Sequence, residues 1–559
     1  MSYIDYLVVG VFSLWIVAAG LSFGKGNATM KSFFAAGGAV PWPINGLSLF
    51  MSFFSAGTFV VWGSIAYEFG WVAVTIQWAI CLAGLLIGLF IAPKWRETNV
   101  LTVAEYITAR LGERVQQLYT YLFLGMSLVA TGAFLYPVAV IVNVATGFEI
   151  IAVTILLGVL IIFYTATGGL WAVVVTDVLQ FVILTAAVLV VVPLSLENAG
   201  GVSSFISHAP EDFFHLVNGE YTSAFIIAFL FYNLIFIGGN WAYVQRYTTV
   251  KDSTSARKVG YLFSALYVIS PVIWMLPPML YRTIEPGLAG LENEAAYLLM
   301  VKEVLPVGML GLMLGGIVFA TASSVNTTLN LAAAVVTNDI YKKLRPKASN
   351  KKLLLIGRIS TVVFGLGTIA VALLVPVAGG IVEVVLSIGA MVGAPLFAPP
   401  IWSLFSKRLT GKAVAVITLS SLGINLFFKF LTPLIWNFGL DRAAEMIVGV
   451  GGPLLMLLSF EVWSFLKGYT SQRYNEYICG KKAGKNVEQK LQETLDKDSE
   501  EQNMYGLKVI AVSLAFTGSL MVGLSFIADN ARVLVGTMGT LILAISILVW
   551  TTATRIGNK

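Results

Sequence analysis

Apolar residues run along this chain in stretches of bilayer length, separated by shorter polar segments. A helix crossing a hydrocarbon core of about 30 Å needs roughly 20 mostly apolar residues. About fifteen such stretches can be marked, at 3–23, 43–67, 71–93, 117–143, 149–166, 170–194, 222–242, 259–281, 306–337, 353–376, 380–405, 412–436, 443–466, 507–527 and 532–552. Continuous apolar runs of this length predict an all-α polytopic membrane protein, because a spanning helix satisfies its backbone groups internally. Two stretches carry interruptions: Ser52 to Thr58 in the second, with Gly57, and Asn233 to Trp241 in the seventh, with Gly238 and Gly239.

Composition agrees. The chain has 559 residues, of which 58% are hydrophobic and 11% charged, against about a quarter charged in soluble domains. Orientation is read from Lys and Arg, which favour cytoplasmic loops. Alternate loops are basic, with Arg110 and Arg114, then Arg246, Lys251 and Arg257, then Lys342, Lys343 and Arg345, while the 195–221 loop holds Glu197, Glu211, Asp212 and Glu220 and no Lys or Arg. The N-terminus is therefore expected outside and the C-terminus in the cytoplasm. The first stretch lacks a basic leader and a small-residue cleavage site, so it is expected to be a retained span. The polar insert 467–506 is expected to form a cytoplasmic surface helix with some disorder. Cys81 and Cys479 offer neither a disulfide framework nor a metal site, and His208 and His215 read as ordinary loop residues. No His-rich metal motif, nucleophile elbow or phosphate loop is present, which argues against an enzyme. Nothing in the chain suggests a nucleic-acid partner.

The chemistry concentrates in 306–343. Ala320, Ser323, Ser324 and Thr327 fall at i, i+3, i+4 and i+7 and share one helix face. Neutral oxygens on one face suit a small cation that must also leave again, although Ser and Thr equally bond back to the preceding turn. The two interrupted stretches lie five apart, as a five-plus-five inverted repeat over the second to eleventh spans requires. Broken helices free backbone carbonyls, which are neutral cation ligands; the alternative is that the glycines only permit close packing. Asp177 lies inside a span, where a carboxylate is either functional or the partner of a nearby basic group.

Ala320-x-x-Ser323-Ser324 and the helix exit Asp339-x-Tyr341-Lys342 resemble the sodium/solute symporter family, which includes the sodium/glucose, sodium/proline and sodium/sialic acid cotransporters. The resemblance extends over about 1–440 through Thr102 to Ile107 with Arg110-Leu111-Gly112, Gly168-Gly169-Leu170, Thr176-Asp177-Val178-Leu179-Gln180 and Gln245-Arg246. It implies a LeuT-like transport core at 43–405. Around it would lie an N-terminal accessory segment (1–42), accessory spans (406–466), the polar loop (467–506) and C-terminal accessory spans (507–559).

The resemblance also implies sites. A main sodium site would use the carbonyls of Met51, Phe54 and Ala320 with the hydroxyls of Ser323 and Ser324. A second would use Asp177, Ser323, Asn326 and Thr327, with Asn326 standing where the family has a hydroxyl. The expected solute lining is Phe53, Thr58, Gln77, Tyr136, Asn233, Phe236, Asn240, Tyr267 and Ser387. Sugar-transporting members carry a Glu before the Trp of the third span and a Lys in the eighth; here these positions read Gly70 and Tyr267. The expected activity is sodium-coupled symport of a small organic solute, a sugar or organic acid, across the cell membrane. The alternatives are proton coupling through Asp177, or a sensor that kept a transporter-like body.

Overall fold

The computed structural model describes residues 1–22, 40–100, 102–164, 170–528 and 531–557, and regular structure among them is helical. Eleven helices are long and apolar enough to cross a membrane, thirteen if each of two bent pairs is one span. That count does not reach fifteen. The first and fifth stretches form the helices Tyr3–Leu21 and Ile150–Tyr164, whose described apolar parts Tyr3–Ile16 and Ile150–Ile162 fall below the length criterion. The neighbouring stretches 412–436 and 443–466 are separate helices, Gly411–Trp436 and Arg442–Leu466. For continuity, spans keep the ordinal numbers of the sequence stretches.

The bent pairs are spans 2 and 7. Trp42–Phe53 and Thr58–Phe69 meet at 58°, and Ser223–Gly239 and Trp241–Thr248 at 63°. Each break has a local cause. In span 2, Phe54 turns to an extended conformation (φ −100°, ψ 103°). In span 7, Asn240 leaves the helix and caps the next segment, its side-chain oxygen accepting from the Ala242 N–H at 3.0 Å. The Gly238 carbonyl freed there accepts from the Trp95 indole at 2.7 Å. Gly239 faces span 11 (Ile381–Phe405), where a Cβ would press on Phe397. The packing alternative therefore accounts for both glycines of span 7.

Around the breaks lies a buried core from spans 2, 3, 4, 7, 8, 9 and 11. The peripheral helices bury less: 22% for the last span against 83% for span 9 (Met309–Val335). Lipid-facing apolar surface accounts for that difference. The polar insert is helical. It continues into the fourteenth span as one helix, Gln472–Ser525, whose partner Arg532–Gly557 packs through Gly518 and Gly539; a Cβ on Gly518 would lie 2.9 Å from the Gly539 carbonyl oxygen. The side chains of 481–502 are outside the described residues, as are Gly168, Gly169 and the Asp339 side chain.

Candidate functional site

Span 9 meets the break of span 2 through Thr321. Its hydroxyl donates to the Ile317 carbonyl at 3.0 Å and accepts from the Ala56 N–H at 3.0 Å. An orphan backbone donor of the broken helix is thus satisfied by the residue next to Ala320. The break is further closed on itself: Met51 O accepts from the Phe54 N–H, and Thr58 Oγ1 donates to Phe53 O at 3.0 Å.

One turn along span 9, Ser323 Oγ lies 3.4 Å from Asp177 Oδ1, while Ser324 Oγ donates to Ala320 O at 3.3 Å. Asp177 is buried and also accepts from Ser48 Oγ at 2.6 Å. Arg246 stands 3.8 Å from the same carboxylate and donates to Ser48 Oγ at 3.3 Å. Asn326 is buried, and the Thr327 side chain is outside the described residues. A small cavity of about 80 Å³ is lined by Asp177, Arg246, Ser323, Ser324, Asn240 and Ser52 among others. Ser323 and Ser324 of span 9 and the Asp177–Arg246 pair therefore share one pocket, whose lining does not include Met51, Phe54 or Ala320. Among the described residues no cluster of His, Cys, Asp or Glu could hold a metal ion. Ser323 and Ser324 bring neutral hydroxyl oxygens to this pocket, beside a carboxylate already paired with a guanidinium.

A larger cavity of about 400 Å³ adjoins it. Ser52, Met126, Ala130, Phe134, Phe236 and Tyr243 line both. Of the residues expected at the solute, Phe53, Thr58, Asn233 and Phe236 line the larger cavity and Asn240 the smaller. Four others face elsewhere. Gln77 bonds back to the Ala73 carbonyl of its own helix. Tyr136 is directed at the buried carboxyl of Glu294. Tyr267 packs edge-on against Phe50 and beside Phe263. Ser387 donates to Glu445 at 2.6 Å, within an ion cluster where Lys429 lies between Glu383 and Glu445. Gly70, where the sugar-transporting pattern has an acid, has φ +71°, and any Cβ would collide with the Phe213 carbonyl oxygen. Missed by sequence reasoning were Thr321, Ser48, Arg246, Tyr232 and Tyr243. Arg246 corrects the sequence reading: expected among the cytoplasmic-loop charges, it is buried against Asp177 instead.

Comparison with known proteins follows the same lines. Residues 33–417 match the sodium:solute symporter family. Over 470 residues the chain is 27% identical to a sodium/glucose cotransporter of Vibrio parahaemolyticus, covering 77% of this chain and 86% of that protein. It is 26% identical over 464 residues to a sodium/sialic acid symporter of Aliivibrio fischeri, covering 80% and 92%. Among solved structures, a Na⁺-coupled sialic acid symporter in a substrate-bound outward-open state superposes with a TM-score of 0.71 at 21% identity, over 84% of this chain and 99% of that one. Mhp1, a nucleobase-cation-symport-1 family transporter in a closed conformation, superposes with a TM-score of 0.53 at 15% identity, over 80% and 97%. Both likenesses concern the fold, which is the LeuT-like five-plus-five arrangement.

Proposed function

Because the chain belongs to the sodium:solute symporter family, we propose that it imports a small organic solute, held in the 400 Å³ cavity, by sodium-coupled alternating access. Sodium binds where span 9 meets the break of span 2, through the carbonyls of Met51, Phe54 and Ala320 and the hydroxyls of Ser323 and Ser324. The observation that carries this reading is the contact of Ser323 Oγ with Asp177 at 3.4 Å. A hydroxyl that gives its proton to a carboxylate keeps its lone pairs for a cation, and the polarised bond strengthens that oxygen as a ligand. Ser324, donating to Ala320 O, is left in the same state.

The pocket borders the solute cavity through Ser52, Phe236 and Tyr243. Sodium there steadies the broken helix that forms one wall of the solute site. By linkage the solute raises sodium affinity by the same factor, and the inward sodium gradient drives accumulation. With Arg246 at 3.8 Å from Asp177, a second sodium on Asp177, Ser323, Asn326 and Thr327 would face a guanidinium. One sodium per solute is the reading that this favours. The distribution of basic loops supports a multi-pass protein of the cell membrane, N-terminus outside and C-terminus cytoplasmic.

The test is a thermal-shift screen of solutes with and without sodium, followed by uptake into proteoliposomes with choline in place of Na⁺ at fixed pH. Loss of accumulation in choline is expected. Unchanged uptake would remove sodium coupling and leave a proton carried by Asp177.

A further inference from the structure

The larger cavity is chemically lopsided. At the end formed by the broken spans, most polar side chains are already engaged. Ser52 Oγ donates to Ser48 O at 2.8 Å and Thr58 Oγ1 to Phe53 O. Ser55 Oγ takes the Gly57 N–H at 3.2 Å, and the Asn233 amide donates to Phe229 O at 2.9 Å. Two side chains differ. Tyr232 and Tyr243 are each 7% exposed, line this end of the cavity, and have no hydrogen-bond partner for their hydroxyls among the described residues. Neither hydroxyl is among the sealed unpaired atoms, so both are open to the cavity and free to donate to a ligand there. They flank Phe236, which stacks on Tyr232 and meets Tyr243 edge-on.

Leu122, Gly125 and Val129 of span 4 (Glu113–Thr146) and Leu422 and Leu426 of span 12 (Gly411–Trp436) give the lining an apolar wall, with Tyr121 the polar side chain beside it. The two spans are tied by the Tyr119–Thr418 hydroxyl bond at 2.8 Å. A Cβ on Gly125 would meet nothing within 4 Å. Among the described residues no Asp, Glu, Lys, Arg or His lines the cavity. A hexose bound here would bury several hydroxyls against too few free partners, and each one left unpaired weakens binding.

We propose that the solute is an amphiphile. Its head carries a hydrogen-bond acceptor, a carboxylate or a carbonyl, received by the hydroxyls of Tyr232 and Tyr243. Its apolar body lies along the wall of spans 4 and 12. This rests on the symport reading above and names the substrate class of that same site.

The test uses the full chain in detergent, with thermal stability and equilibrium binding measured in NaCl and in choline chloride for phenylacetate, phenylacetamide, acetate and glucose. Stabilisation by phenylacetate, by phenylacetamide or by both, and not by acetate or glucose, is the expected result. Which of the two binds identifies the head as carboxylate or neutral carbonyl. Stabilisation by glucose overturns the proposal, and so does the failure of both aromatic probes. Equal stabilisation in choline keeps the amphiphile and removes sodium coupling, so the two readings fail separately. Tyr232→Phe and Tyr243→Phe should each weaken the aromatic probe about tenfold while the unliganded protein melts as wild type. Unchanged affinity in both variants overturns the head assignment. Gly125→Val, which adds bulk to the apolar wall, should weaken phenylacetate as well.

Discussion

The guanidinium of Arg246 stands 3.8 Å from the carboxylate of Asp177, with the Ser48 hydroxyl bonded to both. Thr176-Asp177-Val178-Leu179-Gln180 and Gln245-Arg246, far apart in sequence, are thus two halves of one buried ion pair. Asn45, one turn before Ser48, adds bonds from its amide to Arg246 O at 3.2 Å and Thr249 Oγ1 at 3.0 Å. The first half of span 2 is held against the second half of span 7 by this group, so the two broken helices are coupled at their ends.

Asp177→Asn should therefore act first on stability. Removing one member of a buried pair strands the other, typically at a cost of about 3–5 kcal/mol. Poor expression or a lowered melting temperature is expected, with partial recovery in Asp177→Asn/Arg246→Gln. A melting temperature equal to wild type, with the sodium Hill slope falling from above one to one, would show instead that Asp177 ligates a second sodium.

Thr321→Val tests the joint between spans 2 and 9. Valine keeps the shape and removes the oxygen that accepts from Ala56. Leaving that donor unpaired should cost about 1–3 kcal/mol. Since the donor sits in the break, the loss should appear as a higher sodium concentration for half-maximal uptake. Unaltered sodium dependence would mean that the break holds its shape without span 9.

The span pattern was legible because lipid imposes it: apolar length and alternating basic loops need no tertiary knowledge. The two breaks were legible from Gly57 and from Gly238, Gly239 and Asn240. What those breaks do with their carbonyls was not, because Trp95 reaches Gly238 from a different span. The expected solute lining came from the resemblance, and at Ser387 the structure departs from it. A π-helical turn over Val384–Ile388 inserts a residue into span 11 and rotates its face. Ile381, Val384 and Val385 then line the cavity, and Ser387 goes to Glu445. Tyr232 and Tyr243 were passed over because aromatic residues in an apolar span look like core until a cavity is seen beside them.

Glu294 gives a pH signature outside the spans. It lies in the short helix Gly290–Ala295, is buried, and accepts from the Ile381 N–H at 2.9 Å. Burial pushes its carboxyl above the usual carboxylate range, the hydrogen bonds only partly opposing this. In the window between the unfolded and folded values the native state binds more protons. Stability must then fall as pH rises through that window. Melting temperatures between pH 4 and 7 should show this component, and Glu294→Gln, which still accepts from Ile381, should lack it. An identical slope in the variant would assign the dependence to other groups.

Ser323→Ala and Ser324→Ala separate two kinds of ligand. Both remove one neutral oxygen from the cation, a loss of about 1–3 kcal/mol, or roughly 5- to 150-fold in the sodium concentration for half-maximal uptake. Ser324 otherwise bonds only back to Ala320 O on its own helix, so its removal should leave the melting temperature without sodium unchanged. Ser323 also contacts Asp177, so its loss takes one partner from a buried carboxylate. Ser323→Ala should then lower the melting temperature even in choline, and the sodium-induced stabilisation should shrink in both variants. Adding Asp177→Asn to each variant checks the route. The effect of Ser323→Ala on stability should diminish in that background, because the partner is already changed, while that of Ser324→Ala should be additive. Wild-type sodium dependence in both single variants would remove span 9 from the cation site altogether.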